Sequence, residues 1–479
     1  MYETALAIQW VTFAVVMMLY VGRRKASVYD PFLYYAAFHF LVFVFRPLLG
    51  YILDYELIYR WFQFSPSPEE RLIALIATNV GFVMFALGSQ FISPPTINFK
   101  RDEFVELERK SLKYTGLATA SICYILGIAS ALSNWGKINL SLGSMTMDKA
   151  TGTIINSERV GYFVEAYHLA GSASLLFVWI FRFRLLSFTP LIIFVMVEAG
   201  SGIRGPFITA IVSVGLLYFY ERKVKMPTAR LMVFILMITV AFSAIGSDRG
   251  KSWRQFIDTD DQSLTTLTHA NKEKFLEGMD TGNLEFMEYL VYVVPNRSGT
   301  YNYFADNLII FTEWVPRAIW PGKPVGSPVR FVNIMDYGRP IGMTPGLPGE
   351  GWLGAGWIGV VGWCFLWGAV LARLYRRFAR GFDSNLKLLA YLVFLPILIV
   401  AYRDGSPITV LRQGIFLAFP FLLWYLFNRL TGKLTIAEIR RTVALASMKG
   451  HGSAPKAERY LPPAVARRRA MLLDQAAKD

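Results

Sequence analysis

Cysteine is almost missing from this 479-residue chain. Only Cys123 and Cys364 occur, both inside apolar runs, which excludes a disulfide framework and a thiolate metal site. Histidine is nearly as scarce: His39, His168, His269 and His451 are scattered, none with a partner at metal-ligand spacing. There is no Walker loop, no GxSxG elbow, no HExxH pair and no repeat of fixed period. Charge is short as well, at 17% of residues, and acidic residues are outnumbered 34 to 49, leaving a formal net charge of +15. In a soluble protein that excess would point to nucleic acid. Here 54% hydrophobic residues, 15% aromatics and a mean hydropathy of +0.39 describe a chain solvated by lipid, in which basic residues serve as topology signals. The expected class is an all-α polytopic membrane protein with no nucleic-acid partner.

About eleven apolar runs approach the roughly 20 residues needed to cross a bilayer. They lie near 4–21, 31–51, 72–93, 114–133, 162–181, 185–200, 206–220, 230–246, 352–372, 388–402 and 408–427. The first lacks a basic leader and a small-residue cleavage site, and Arg23, Arg24 and Lys25 follow it, so it is expected to be retained as a span. With the N-terminus outside, every short inside segment is basic, from Arg23–Lys25 through Arg182 and Arg184 to Arg373, Arg376, Arg377 and Arg380, as the positive-inside rule requires. This divides the chain into spans one to eight (1–246), a large external segment (247–351), spans nine to eleven (352–427) and a basic inside tail (428–479), partly disordered after an interfacial helix at Leu434–Met448. Within the external segment, Ser263–Met279 and Asn283–Val294 have helical spacing and are expected as amphipathic helices on the membrane surface.

The run from Phe311 to Trp352 is unlike the rest. It holds seven of the 23 prolines and, between 322 and 351, seven glycines, a pattern that predicts an ordered irregular path of the sort that serves a site. Its cations Arg317, Lys323 and Arg330 fall on the same side as Arg249, at the end of span eight, and Arg403, in the turn before span eleven. Arg204, in the break Ser201-Gly-Ile-Arg-Gly-Pro between two short spans, either faces a wet cavity or snorkels from a tight turn. Guanidinium forks suit phosphate oxygens, so a diphosphate is a natural guest; Asp404 neutralising Arg403 is the competing structural role. Glu350 lies between glycines in Pro348-Gly-Glu-Gly-Trp, where it serves either as a general base or as an arginine's partner. Trp314, Trp320 and Trp352 offer sugar-stacking faces or form an interfacial belt. Asp258-Thr-Asp-Asp has the form of a metal-binding DxD element or of a solvated loop, and Arg46, beside Pro47 in span two, sits at a kink, an interfacial end or a lipid phosphate.

Two of these runs resemble a family. Trp314-Val-Pro-Arg-Ala-Ile-Trp-Pro-Gly-Lys-Pro followed by Pro345-Gly-Leu-Pro-Gly-Glu-Gly-Trp-Leu-Gly-Ala-Gly-Trp-Ile-Gly is similar to the signature of bacterial oligosaccharide repeat-unit (Wzy-type O-antigen and exopolysaccharide) polymerases, and the break around Arg204 resembles their upstream Gly-Ser-Arg-Gly element. The likeness covers patches of 200–422. It implies a GT-C-type glycosyltransferase of the bacterial inner membrane with a periplasmic N-terminus and cytoplasmic C-terminus, joining undecaprenyl-diphosphate-linked oligosaccharides, with membrane lipids and a chain-length co-polymerase as partners. It further implies no cofactor and no metal, inversion at the anomeric carbon, and Arg204, Arg317, Lys323 and Glu350 as site residues. A glycan ligase and a flippase or transporter of lipid-linked oligosaccharide are the competing functions; a transporter is expected to place its cations nearer the midplane.

Overall fold

The computed structural model describes residues 1–23, 26–91, 97, 99, 113–133, 145–147, 154–156, 163, 165–201, 205–227, 276–278, 281–312, 315, 319–323, 327–338, 343–381 and 385–430. Apolar sequence in runs this long leaves the backbone no partner but itself in lipid, and the regular structure among the described residues is accordingly helical apart from a hairpin of two three-residue strands, β1 (Met145–Met147) against β2 (Ile154–Asn156). Among the described residues, seven helical segments are long and apolar enough to span: α1 (Tyr2–Val21), the segment Pro31–Leu53, α5 (Pro68–Phe91), α6 (Lys113–Ser133), α11 (Gly346–Ala379), α12 (Asn385–Asp404) and α13 (Pro407–Leu430). Three shorter apolar helices, α7 (His168–Ile180), α8 (Thr189–Ser201) and α9 (Gly205–Glu221), match the fifth to seventh expected spans. The chain is thus an α-helical membrane protein. The expected span at 230–246, the helix over 263–275 and the tail beyond 430 lie outside the described residues.

Segment Pro31–Leu53 comprises α2 (Pro31–His39), a π-turn (Phe40–Phe45) and α3 (Arg46–Leu53), and the short α4 (Leu57–Phe62) follows it. Asp30 caps it, its carboxylate accepting from Phe32 N–H at 3.0 Å, with Pro31 at the first helical position. The wide turn shifts register, and such bulges recur at functional positions. α5 and α11 make the most extensive packing, and small residues allow it. A Cβ on Gly88 would stand 2.2 Å from the Phe365 carbonyl oxygen and one on Gly368 2.3 Å from that of Phe85, so the two backbones touch.

Helix ends sort into two groups. One end of the bundle gathers the start of α1, the end of α3, and the starts of α5, α11 and α13: Tyr51 donates to Glu3, and Trp363 Nε1 donates to Gly405 O at 3.1 Å. The other gathers residues 22–23, 26–30, 220–225, 375–381 and 385–391: Val28 N–H reaches Lys225 O at 2.9 Å, Tyr29 donates to Val224 O at 3.1 Å, and Tyr391 donates to Tyr29 O at 2.8 Å. This alternation is the one the loop charges predict. The basic residues Arg222, Lys223, Lys225, Arg376, Arg377, Arg380 and Lys387 collect at the second end; Glu350 lies at the first.

One expectation is overturned here. Asn283–Val293 does form a helix, α10, but it does not lie on a surface: Asn283 to Val291 and Val293 are all buried, Glu285 and Glu288 included. Alternating carboxylates with apolar residues mimics an amphipathic face; the cations that face those carboxylates, buried Arg46 and partly exposed Arg71, lie more than 200 residues away in sequence.

Candidate functional site

The run from Phe311 to Trp352 ends in a helix, and that helix is bent. Within α11, Ala355 and Gly356 leave helical geometry (φ −162° and +58°), a left-handed value that glycine accepts without strain. The Gly346–Gly354 stretch folds back so far that a Cβ on Gly351 would lie 2.7 Å from the carbonyl oxygen of Gly359. Bending exposes carbonyls that a straight helix would satisfy. A loop fills the gap: Asn302 N–H donates to Leu353 O at 2.8 Å and Tyr303 N–H to Gly354 O at 3.0 Å. The Pro/Gly pattern therefore builds a short buried helix, beginning earlier than the span expected at 352–372, with Glu350 in its middle.

Glu350 is buried, and its Oε1 accepts from Asn307 Nδ2 at 2.9 Å. Asn307 sits on a 3-10 turn, Ala305–Leu308, and its own Oδ1 accepts from Ser406 Oγ at 3.2 Å. Ser406 belongs to the α12–α13 turn, brought up by Gly405, whose φ is +82° and whose hypothetical Cβ would meet Gly346 O at 2.3 Å and Glu350 Cβ at 3.0 Å. Any larger residue there would force the turn off the short helix. Beside Asn307, Asp306 accepts from Asn302 Nδ2. Burial raises the Asp306 pKa above the ordinary aspartate value, against the opposing pull of that amide and of the Arg330 charge. Ser327 Oγ donates to Ala305 O at 2.8 Å and ties the Arg330 loop to the same turn. The result is a carboxyl–amide–hydroxyl relay, Glu350–Asn307–Ser406, with a second acid one residue from its centre.

The expected cations divide. Arg403 ion-pairs with Asp404 at 3.3 Å, the structural role foreseen for it, while Thr409 holds the other Asp404 oxygen at 2.9 Å. Its carbonyl accepts from Asn283 Nδ2 at 2.9 Å, a bond that joins α10 to the α12–α13 turn. Arg330 is exposed with its charge felt at Asp306, and Lys323 Nζ reaches Val315 O at 3.3 Å. None of the three is the partner of Glu350, so the alternative of a structural ion pair gives way to an amide contact among the described residues. Trp320 is exposed, as a stacking face must be. Trp352 is not: it is buried, donates from Nε1 to Val294 O at 2.9 Å and meets Trp357 edge-on, so its role is packing. Arg204, Arg249, Trp314, Arg317 and the Asp258 run lie outside the described residues. Asn302, Asp306, Asn307 and Ser406 carry no pattern in sequence; the only pointer to the first three was their place just upstream of the Pro/Gly run.

Of the three places expected for Arg46, the structure gives the kink: it is fully buried at the end of the π-turn, where Nη1 donates to both oxygens of Glu285, Nε to Leu276 O at 2.8 Å and Thr281 Oγ1 at 3.2 Å, and Nη2 to Glu277 O at 3.2 Å. Among the described residues no group of three or more His, Cys, Asp and Glu side chains is arranged to hold a metal ion. No family model, no curated protein and no solved structure matches this chain.

Proposed function

We propose that this protein is a membrane glycosyltransferase of GT-C type, with eleven spans, that polymerises undecaprenyl-diphosphate-linked oligosaccharide repeat units on the periplasmic face of a bacterial inner membrane. The observation that carries the proposal is Glu350: a buried carboxyl at one end of the bundle, oriented by Asn307 and Ser406, inside the Gly-Glu-Gly-Trp run similar to the polymerase signature. Basic loops at the opposite end favour that end as cytoplasmic and the Glu350 end as external.

In the proposed reaction the acceptor's sugar hydroxyl attacks the donor's anomeric carbon. The new C–O bond forms as the bond to diphosphate breaks, the hydroxyl proton passes to the Glu350 carboxylate, and undecaprenyl diphosphate leaves with inversion at carbon. A positioned base contributes about 10²–10⁴-fold. Negative charge developing on the diphosphate is met by Arg204, Arg317 and Lys323, with Arg249, Arg330 and Arg403 on the same side; Trp314 and Trp320 supply stacking faces. No cofactor or metal takes part in this scheme, and a chain-length co-polymerase is the expected protein partner.

Purified full-length protein in lipid nanodiscs, given a defined undecaprenyl-diphosphate-linked repeat unit, is expected to yield a ladder of products that Glu350→Gln abolishes. A single transfer to a different acceptor would make it a ligase, and translocation without new glycosidic bonds a flippase.

A further inference from the structure

A cavity of roughly 420 Å³ opens at the same end of the bundle as Glu350 but on the other flank of α10. Its walls come from the start of α1, both ends of α3, the stretch between α3 and α5, the first turn of α5 and the first half of α10. Its size falls within the range of about 300–1,000 Å³ typical of ligand pockets. α10 divides it from Glu350: Asn283, at the helix start, bonds the Arg403 carbonyl, whereas Glu285 and Glu288, further along, line the cavity.

The chemistry of the walls is specific. Arg46 lines the floor, but its donors are taken by Glu285 and three backbone or side-chain oxygens, so it adds rigidity and no net charge. Arg71 differs. Its guanidinium lies on the Tyr59 ring, 4.6 Å from the centroid, and its Nε, 4.0 Å from Glu288 Oε2, is buried without a hydrogen-bond acceptor. Glu288 is almost wholly buried, accepts from Tyr59 Oη at 2.6 Å, and has its pKa pushed up to about 8, first by burial and then by the Glu285 charge. Asp54 and the rings of Tyr2 and Tyr51, 6.5 Å apart, complete the mouth, with Tyr51 exposed.

An anionic guest would meet Arg71, which already faces Glu288 across 4.0 Å and lies on the Tyr59 ring, with the Asp54 carboxylate in the same wall, and would gain little net attraction. A polyol suits the same walls. Its oxygens accept from Arg71, its hydroxyls donate to carboxyl oxygens, and its C–H faces pack on tyrosine. We infer that this cavity is a saccharide-binding site, distinct from the Glu350 site, that holds an uncharged sugar unit through Arg71, Glu288 and the tyrosines at its mouth. The inference rests on the glycan-handling function proposed above, where the cavity would hold a distal part of a growing chain while the reacting end lies at Glu350.

The test measures binding and needs no turnover. Full-length protein in nanodiscs is titrated with oligosaccharides released by mild acid from the source cell's own surface glycan, and with inorganic pyrophosphate as the anionic comparator. Wild-type protein is expected to bind the oligosaccharide saturably and without competition from pyrophosphate. Arg71→Ala and Glu288→Gln are expected to weaken it about tenfold or more, the scale of one buried hydrogen bond to a charged group. Tyr51→Ala, at an exposed position that leaves the core intact, is expected to weaken it several-fold, which guards against misfolding of the other two. Absence of saturable binding in wild type, equal binding in all three variants, or full displacement by pyrophosphate overturns the assignment. Variant-sensitive binding without a polymer ladder supports the cavity and sinks the polymerase alone; a ladder without such binding does the reverse.

Discussion

Two buried carboxylates near one end of this bundle, Glu285 and Glu350, are held by opposite means. Glu285 is clamped by the Arg46 fork, whose remaining donors are spent on Leu276, Glu277 and Thr281. Glu350 touches an amide, and that amide touches a hydroxyl. A charge locked to a countercharge in a low-dielectric interior is fixed in one protonation state and one position, which serves architecture. A carboxyl held by neutral donors keeps its geometry while remaining free to take and release a proton, which serves chemistry.

The largest expected effect separates the two at once. Glu350→Gln should lower turnover by about 10²–10⁴-fold in the polymerisation assay while thermal stability stays close to wild type; equal loss of both would make Glu350 structural like Glu285. Arg46→Ala should do the converse, costing about 3–5 kcal/mol by stranding Glu285, read as a collapse of the thermal midpoint in nanodiscs or as failure to accumulate in the membrane. Removing the amide, in Asn307→Ala, should lower turnover about tenfold with a smaller change in midpoint, since it frees Glu350 without deleting it. A stability profile unaffected by Asn307→Ala but with turnover also unaffected would show that Glu350 needs no orienting partner.

The smallest effect concerns pH. Glu288 is protonated more tightly when folded than when unfolded, its folded pKa being about 8, so its contribution to stability is complete below the usual glutamate range and is lost as pH rises toward and through 8. Thermal midpoints measured from pH 5 to 9 should therefore fall with rising pH, and Glu288→Gln should flatten that fall. Arg71, Arg46, Glu285 and Tyr59 face the same carboxyl, and an unchanged slope in the variant would assign the effect to one of them.

How much of this was legible depended on range. Seven spans and three shorter helices stood within a few residues of their hydropathy peaks, because a bilayer crossing is a local property of about 20 residues. The π-turn in the second span left no trace, since Phe40–Phe45 is as apolar as its surroundings. Glu350 was visible because a carboxylate between glycines beside a proline-rich run is rare in composition. Asn307 and Ser406 were not, because single small polar residues carry no period and no charge. The partner of Arg46 and the burial of α10 were missed for one reason: that partner lies 239 residues away, and a helix with regularly placed glutamates looks amphipathic until its counterion is found.

By itself, then, the sequence determined the solvent, the alternation of helix ends and the irregular path that leads to Glu350, all consequences of apolar length, loop charge and backbone restriction acting over short stretches. Only the tertiary structure decided which buried carboxyls meet a countercharge and which meet neutral donors. Pairing Arg46 with Glu285, or Glu350 with Asn307, depends on where distant helices meet, and in a low-dielectric interior that choice of neighbour sets how firmly a carboxyl is held in its charged form.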